Sequence, residues 1–213
     1  MKRLAREPLN LIVAGVGGQG NVLLSYLIGK ALVRLGYYVS VGDTFGASQR
    51  GGSVASHIRI SEYTSYGSLI PTGHAHVILG LEPAETLRML GQFGNTNVFT
   101  ITNTRPVYPS DVTSGRSAYH PADEILRRIE QLSSRCIVLR ATDEAFKLGH
   151  PIYANVILIG ALIAAGVVPL ESVSMESILE EHFPHDLDAN LASFHRGMEL
   201  AREALGKNSP PNE

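Results

Sequence analysis

The chain alternates between short apolar runs and longer stretches in which apolar residues recur with helical spacing. Residues 9–15 form an apolar run that ends in glycine, which is typical of a strand buried on both faces. Residues 21–35 have helical spacing, and Gly36 follows them as a residue suited to end a helix. Residues 38–41 are again typical of a strand. The opening of the chain therefore predicts two parallel strands joined by a helix in a right-handed crossover.

Residues 53–61 alternate between apolar and polar side chains, which predicts a half-buried strand antiparallel to its neighbour. A turn at 63–67 and a short strand near 69–70 are expected to follow. Apolar runs predict further strands at 76–81, 98–102 and 136–139. Helical patterns predict helices at 83–90, 121–132, 141–148, 153–165, 174–182 and 188–205.

This order of elements predicts an α/β fold. Strands alternate with helices until the last third of the chain, which is helical throughout. Because such helices pack on both faces of a sheet, we expect a three-layer sandwich around a mostly parallel sheet with a helical C-terminal third. No internal repeat divides the chain, so residues 1–205 are expected to form one domain, followed by a frayed tail over 206–213.

Composition limits the classes of partner. Of the 213 residues, 44% are hydrophobic and 18% are charged, which is enough apolar material for a core and argues against disorder. The 18 basic and 20 acidic residues form no long block of one sign. Neither nucleic acid nor a membrane surface is therefore an expected partner.

The longest apolar stretch, residues 152–168, contains Asn155 and lies between Pro151 and Pro169. Its length is at the lower limit for a membrane span, so we expect a buried helix instead. The basic residues after Met1 are not followed by an uninterrupted apolar segment, and no signal peptide is predicted. A cytoplasmic protein is therefore expected.

Glycines cluster where the first predicted strand meets the first helix. Gly15, Gly17 and Gly20 fit the pattern G-x-G-x-x-G in that position, with Gly18 and Gln19 inside it. Exposed N–H groups at such a helix start favour an anion. The absence of a Cβ also lets a ligand, or another part of the backbone, approach closely.

Asp43 follows near the end of the second strand, where a dinucleotide site would hold a ribose hydroxyl. Taken alone, the glycine pattern and this carboxylate leave three interpretations open. The turn could bind a dinucleotide, it could bind another anionic ligand, or its glycines could serve close packing only.

A second glycine-rich loop follows the second strand and consists of Ser48, Gln49, Arg50, Gly51 and Gly52. Arg50 could bind a phosphate or carboxylate with two hydrogen bonds, or it could form a structural salt bridge. An Arg-Gly-Gly loop is not part of the ordinary dinucleotide pattern.

Two further residues have chemistry to account for. Asn155 starts a buried helix, so its amide needs hydrogen-bond partners. It could cap the helix, bond to the glycine turn or line a cleft. Cys136 is the only cysteine, so the chain by itself holds no disulfide and no cysteine-ligated cluster. We predict a small core residue there.

In this order, residues 15–20, 48–54 and 57–59 resemble the gamma-type domain of 2-oxoacid:ferredoxin oxidoreductases. Segments 69–73, 81–85 and 103–109 extend the resemblance, and they are most similar to the small subunits that act on indolepyruvate. The likeness covers residues 9–204. Sister subunits that act on pyruvate, 2-oxoglutarate or branched 2-oxoacids share the first two motifs, so the family is more secure than the substrate.

The resemblance implies an accessory subunit of a thiamine-diphosphate enzyme that decarboxylates arylpyruvates, transfers the acyl group to coenzyme A and reduces ferredoxin. It places thiamine diphosphate and the iron–sulfur clusters on a large alpha subunit. This chain is then expected to hold no catalytic residue, metal or cofactor by itself and to be inactive alone. The glycine turn and the loop from Ser48 to Gly52 are expected to face the partner or the acyl acceptor. An exposed apolar face is also expected, covered either in the assembled enzyme or, in isolation, by self-association as a homodimer.

Two alternatives remain at this point. A free-standing NAD(P)-dependent reductase would use the glycine turn and Asp43. However, the sequence shows no Tyr-x-x-x-Lys pattern and singles out no paired histidine and carboxylate. A non-catalytic binding module with the same fold is the other alternative.

Overall fold

The computed structural model describes residues 2–46, 52–108, 110–113, 115 and 118–207. Its six strands are β1 (Leu9–Val16), β2 (Tyr38–Phe45), β3 (Ser53–Ser61), β4 (Val77–Gly80), β5 (Phe99–Asn103) and β6 (Arg135–Leu139). Its α-helices are α1 (Asn21–Arg34), α2 (Pro83–Phe93), α3 (Ser110–Thr113), α4 (Ala122–Leu132), α5 (Ala141–Lys147), α6 (Ala154–Ala164), α7 (Ser172–His182) and α8 (Leu187–Lys207). A 3-10 turn over Pro151–Tyr153 leads into α6.

The strands form one sheet in the order β2-β3-β1-β4-β5-β6. The pairs β1–β4, β4–β5 and β5–β6 are parallel, whereas β3 runs antiparallel to both β1 and β2. The sheet is therefore mostly parallel, as predicted. Strands β1 and β2 are parallel and are joined by α1, as expected. They are not neighbours in the sheet, however, because β3 lies between them.

Strand β3 is buried on both faces, so the expectation of a half-buried strand was wrong. His57, on its more polar face, is buried and lies edge-on to Phe93 at a ring-centroid distance of 5.0 Å. The backbone N–H of Ile70 donates to its Nδ1 over 3.4 Å. Residues 69–70 do not form the expected short strand. Irregular chain there covers the polar face of the sheet instead.

Helices cover both faces of the sheet and confirm the three-layer sandwich. Helices α1, α5, α6, α7 and α8 share one large core with the strands, and α2 and α4 pack on the other face. The last third of the chain, from α5 to α8, is helical as predicted. Helix α8 ends at Lys207, two residues beyond its predicted end, and residues 208–213 of the expected tail lie outside the described residues.

Helices α6 and α8 pack closely through two glycines. A Cβ on Gly160 would overlap the carbonyl oxygen of Phe194, and a Cβ on Gly197 would overlap that of Ile157. This contact fixes α6 against α8, with Asn155 near the start of α6. Within the described residues, we find no helix whose length and apolar character would let it cross a bilayer.

Candidate functional site

The glycine turn joins the carboxyl end of β1 to the start of α1. Gly18 and Gly20 have positive φ angles of 94° and 87°, which residues with a Cβ rarely adopt. The side chain of Gln19 folds back so that its Oε1 accepts a hydrogen bond from the Val16 N–H over 2.7 Å. Its backbone N–H donates to the Val16 carbonyl over 3.1 Å. The turn is therefore closed on itself by backbone and side chain.

The glycines of this turn have different roles. A Cβ on Gly15 would lie 2.7 Å from side-chain oxygens of Gln19 and Asn21, and one on Gly20 would lie 2.5 Å from Asn155 Nδ2. These two positions are occupied by neighbouring side chains. A Cβ on Gly18, in contrast, would meet no atom within 4 Å. Gly18 thus faces open space.

Asn155 connects α6 to the glycine turn. Its Nδ2 donates to the Gln19 carbonyl over 2.7 Å, across the space beside Gly20. The side chain of His150 caps the turn before α6 by accepting from the Ile152 N–H over 3.2 Å. Of the placements considered for Asn155, the structure shows two, since its amide bonds to the glycine turn and the residue lines a cleft.

Gly52, the last residue of the second glycine-rich loop, lies beside the turn, and the segments that flank the loop bond to each other. The Gly17 N–H donates to the Gly52 carbonyl over 2.8 Å, and the Gly46 N–H donates to the Ser53 carbonyl over 2.7 Å. Gly52 is therefore in contact with the turn. Ser48, Gln49, Arg50 and Gly51 lie outside the described residues, and their role stays a prediction.

Two clefts flank the turn, and Gly18 lines both. The first, which we call the strand-end cleft, has a volume of about 530 Å³ and lies outside the carboxyl ends of β4, β5 and β6. This edge of an open α/β sheet is where ligands commonly bind. The second, which we call the loop cleft, has a volume of about 520 Å³. Its lining includes Gly17, Gly20, Asn21, Phe45 and Ser53.

The strand-end cleft contains polar residues that the sequence analysis did not single out. Asn103 ends β5, and its Nδ2 donates to Thr142 Oγ1 over 2.8 Å and to the Leu81 carbonyl over 3.2 Å. Arg105 lies at the mouth, 5.9 Å from the ring centroid of Phe146. The position of Asn103, directly after an apolar run, was the signal that could have found it.

The loop cleft also contains a residue that was missed. Asn21, the first residue of α1, is buried, and its Nδ2 donates to the Val54 carbonyl over 2.9 Å. Its Oδ1 is a buried acceptor to which no described group donates. Such an atom is costly unless a donor group fills the cleft.

Asp43 does not occupy the place that a dinucleotide site requires. In that site the acidic residue ends the strand next to β1, but here β3 holds that position. Two inter-strand spacings put β2 about 10 Å from β1. The carboxylate of Asp43 instead accepts a hydrogen bond from Ser56 Oγ over 2.5 Å. The geometry therefore argues against the NAD(P) interpretation of the glycine turn.

Buried ionisable groups near the clefts have structural partners. Glu82 is the N-cap residue of α2, and its carboxylate accepts a hydrogen bond from the Glu85 N–H over 2.8 Å. It also accepts from Tyr119 Oη over 2.5 Å and from the Val107 N–H over 3.4 Å. Burial raises the pKa of Glu82, although these donors oppose the shift. Cys136 lies near the start of β6, away from the clefts, and burial raises its pKa to about 12, which keeps it a thiol.

Comparison with known proteins agrees with the resemblance of the motifs. Residues 10–200 match the family described as pyruvate ferredoxin/flavodoxin oxidoreductase. The chain is 37% identical to the indolepyruvate oxidoreductase subunit IorB of Archaeoglobus fulgidus, over 91% of this chain and 95% of that relative. It is 25% identical to the common gamma subunit of the pyruvate/ketoisovalerate oxidoreductases of Pyrococcus abyssi, over 91% of this chain and 93% of that relative.

A solved structure shows the same fold. The 2-oxoglutarate:ferredoxin oxidoreductase of Magnetococcus marinus, solved with 2-oxoglutarate, coenzyme A and succinyl-CoA bound, matches with a TM-score of 0.71 at 19% identity. The match covers 93% of this chain and 32% of that longer chain. With the family match extending from β1 to α8, this chain belongs to the pyruvate ferredoxin/flavodoxin oxidoreductase family.

Proposed function

We propose that this chain is the accessory subunit of a thiamine-diphosphate-dependent 2-oxoacid:ferredoxin oxidoreductase that works in the cytoplasm. The assembled enzyme oxidatively decarboxylates indolepyruvate or a related arylpyruvate. It releases carbon dioxide, transfers the acyl group to coenzyme A and passes the electrons to ferredoxin. The chain provides one wall of the cleft in which the acyl acceptor is positioned.

The observation that carries this proposal is the position of Gly18. It lies between two clefts at the carboxyl end of β1, with open space where a Cβ would be. The hydrogen bond from Asn155 and the closure by Gln19 hold the turn in place. A turn held in this way, with no side chain at Gly18, suits close contact with a phosphorylated co-substrate such as coenzyme A or with a partner surface.

The choice of arylpyruvate rests on the relatives. Identity is 37% to a subunit named for indolepyruvate and 25% to one named for pyruvate and ketoisovalerate, over the same share of this chain. A sister enzyme acting on pyruvate, 2-oxoglutarate or a branched 2-oxoacid is the second candidate, because it shares the fold.

The redox groups are assigned to a larger partner subunit. When bound there, thiamine diphosphate supplies the stabilised carbanion that decarboxylation requires. This chain does not fit an iron–sulfur cluster, since such a cluster needs several cysteine ligands and the chain has one cysteine. Its own contribution is to orient the co-substrate, exclude water and bind the partner.

The test is reconstitution of the complex, in the absence of oxygen, from this chain and a large subunit of such an oxidoreductase from the same host. Viologen reduction would be measured with indolepyruvate, pyruvate, 2-oxoglutarate and a branched 2-oxoacid, each with and without coenzyme A. We expect activity only when both subunits are present, with the highest kcat/KM for indolepyruvate. Full activity of the large subunit alone would refute the accessory role, and preference for another 2-oxoacid would refute the substrate.

A further inference from the structure

The outer surfaces of α1 and of β2 form an apolar groove that the proposed chemistry does not use. We name it the α1–β2 groove, and it lies between Tyr26 and Val33 of α1 and Val39 and Val41 of β2, with a volume of about 550 Å³. Tyr26 and Val33 are 50% and 57% exposed. Large apolar side chains gathered in this way are typical of an interaction surface.

Strand β2 offers a free edge along this groove. It is the outermost strand of the sheet, and it pairs with β3 in an unbroken register from Tyr38 to Phe45. The strand contains no proline, no lysine and no bulge, which are the usual features that prevent edge strands from pairing. Among the described residues no strand pairs with its outer edge, so these backbone groups are available to another strand.

The groove has a defined direction. Val22 and Phe45 line one cleft, which places the end of β2 beside the start of α1. Gly29 faces Val39, which places the start of β2 beside the second half of α1. The two elements therefore run in opposite directions along the groove.

Charges of opposite sign lie at its two ends. Asp43 is at the end where α1 starts, whereas Lys30 and Arg34 are at the other end, where both pair with Glu181. Asp43 thus gives one end a negative charge. Lys30 and Arg34 together with Glu181 give the other end a net positive charge. A surface of this kind is complementary to a second copy turned by 180°.

We propose that the α1–β2 groove is the interface of a twofold homodimer, in which the β2 strands of two copies pair antiparallel. The twofold axis places the Asp43 end of each copy against the Arg34 end of the other. Tyr26, Val33 and Val41 are covered by their counterparts. The sheet then continues through both copies, and the strand-end cleft stays outside the contact.

Sedimentation velocity of the full chain over a concentration series tests this interface without any assay of activity, so its outcome is independent of the proposed function. The wild type is expected to be a dimer. Val33→Asp should raise the dimer dissociation constant by about tenfold or more, because it buries unpaired charge on both sides of the axis. Val173→Asp is the matched control, since Val173 is 73% exposed on α7 and lies outside the groove.

A charge exchange distinguishes the twofold arrangement from any other use of the groove. Arg34→Glu alone should weaken the dimer, because both ends then become negative. Adding Asp43→Lys reverses the sign of each end and should restore the wild-type dissociation constant. A monomer at every concentration, equal effects of Val33→Asp and Val173→Asp, or no restoration by the second charge change would each overturn the proposal.

Discussion

Asn155 donates a hydrogen bond from Nδ2 to the carbonyl oxygen of Gln19 over 2.7 Å and so joins residues that are 136 positions apart in the chain. The bond links the first turn of the fold to a helix in its last third. It occupies the space beside Gly20, where any larger residue would displace the Asn155 amide. The position of the glycine turn is therefore set by α6 as well as by β1.

Removal of this amide tests whether the bond positions the turn for function. Asn155→Ala should lower the free energy of unfolding by about 1–2 kcal/mol, since the Gln19 carbonyl loses its donor. In the reconstituted enzyme it should also raise the KM for coenzyme A. Asn190→Ala is the matched control, because Asn190 Nδ2 donates to the Asp186 carbonyl over 2.7 Å at the start of α8. The control should cost similar stability and leave this KM unchanged; an equal rise in both variants would contradict the positioning role.

The two glycines with positive φ in the turn should respond differently to substitution. Gly18→Ala introduces only backbone strain, of about 1–2 kcal/mol, because the new methyl group meets open space. Gly20→Ala adds a contact with Asn155 Nδ2 and should be more destabilising. Urea unfolding of both variants measures the difference.

Coupling between Gly20 and Asn155 can be measured with a double-mutant cycle. In the Asn155→Ala background, Gly20→Ala should cost less than in the wild type, because the atoms that it would displace are gone. Strictly additive free energies would show that the close approach between these two residues is not what requires glycine at position 20.

Two helix glycines, Gly160 at the contact between α6 and α8 and Gly91 in α2, should respond to alanine substitution with opposite changes in stability. Gly160→Ala should destabilise the protein by about 1–3 kcal/mol or more, because its Cβ would overlap the Phe194 carbonyl. Gly91→Ala, in α2, meets no atom within 4 Å and should stabilise the protein by about 0.5–1 kcal/mol. Thermal unfolding of both variants is the measurement, and a stable Gly160→Ala protein would refute the close packing.

Glu82 predicts a pH dependence with a definite sign. Burial raises its pKa in the folded protein, so the folded state favours the protonated form more than the unfolded state does. The stability that this group contributes is fully present below the unfolded pKa and is lost as the pH rises through the folded pKa. As the pH rises from the unfolded to the folded pKa of Glu82, the unfolding free energy of the wild type should therefore fall relative to that of Glu82→Gln. A pH-independent difference would contradict the shift.

Local patterns predicted most of the elements because each depends on neighbouring residues. The glycine turn follows from the glycines after an apolar run, and the need to satisfy the amide of Asn155 at the start of a buried helix pointed to the turn. The end of α1 before Gly36, which has a φ of 91°, is equally local. These parts of the fold and of the site could be predicted from the sequence.

The parts that were missed depend on contacts between distant segments. No local pattern shows that β3 inserts between β1 and β2, and this insertion moves Asp43 away from the glycine turn. The polar face of β3 is covered by chain near Ile70 and by Phe93, which is why His57 is buried despite its alternating pattern. Asn103 reaches the strand-end cleft only because β5 ends beside α5.

The most direct test of the proposed function is anaerobic isolation of the tagged full chain from its native host. The eluate would be analysed for a larger subunit, for iron and thiamine diphosphate, and for viologen reduction by indolepyruvate with coenzyme A. We predict a large iron-containing partner and activity that depends on indolepyruvate. A chain that is isolated without iron or partner and that binds NADH would contradict the account and return the glycine turn to a dinucleotide site.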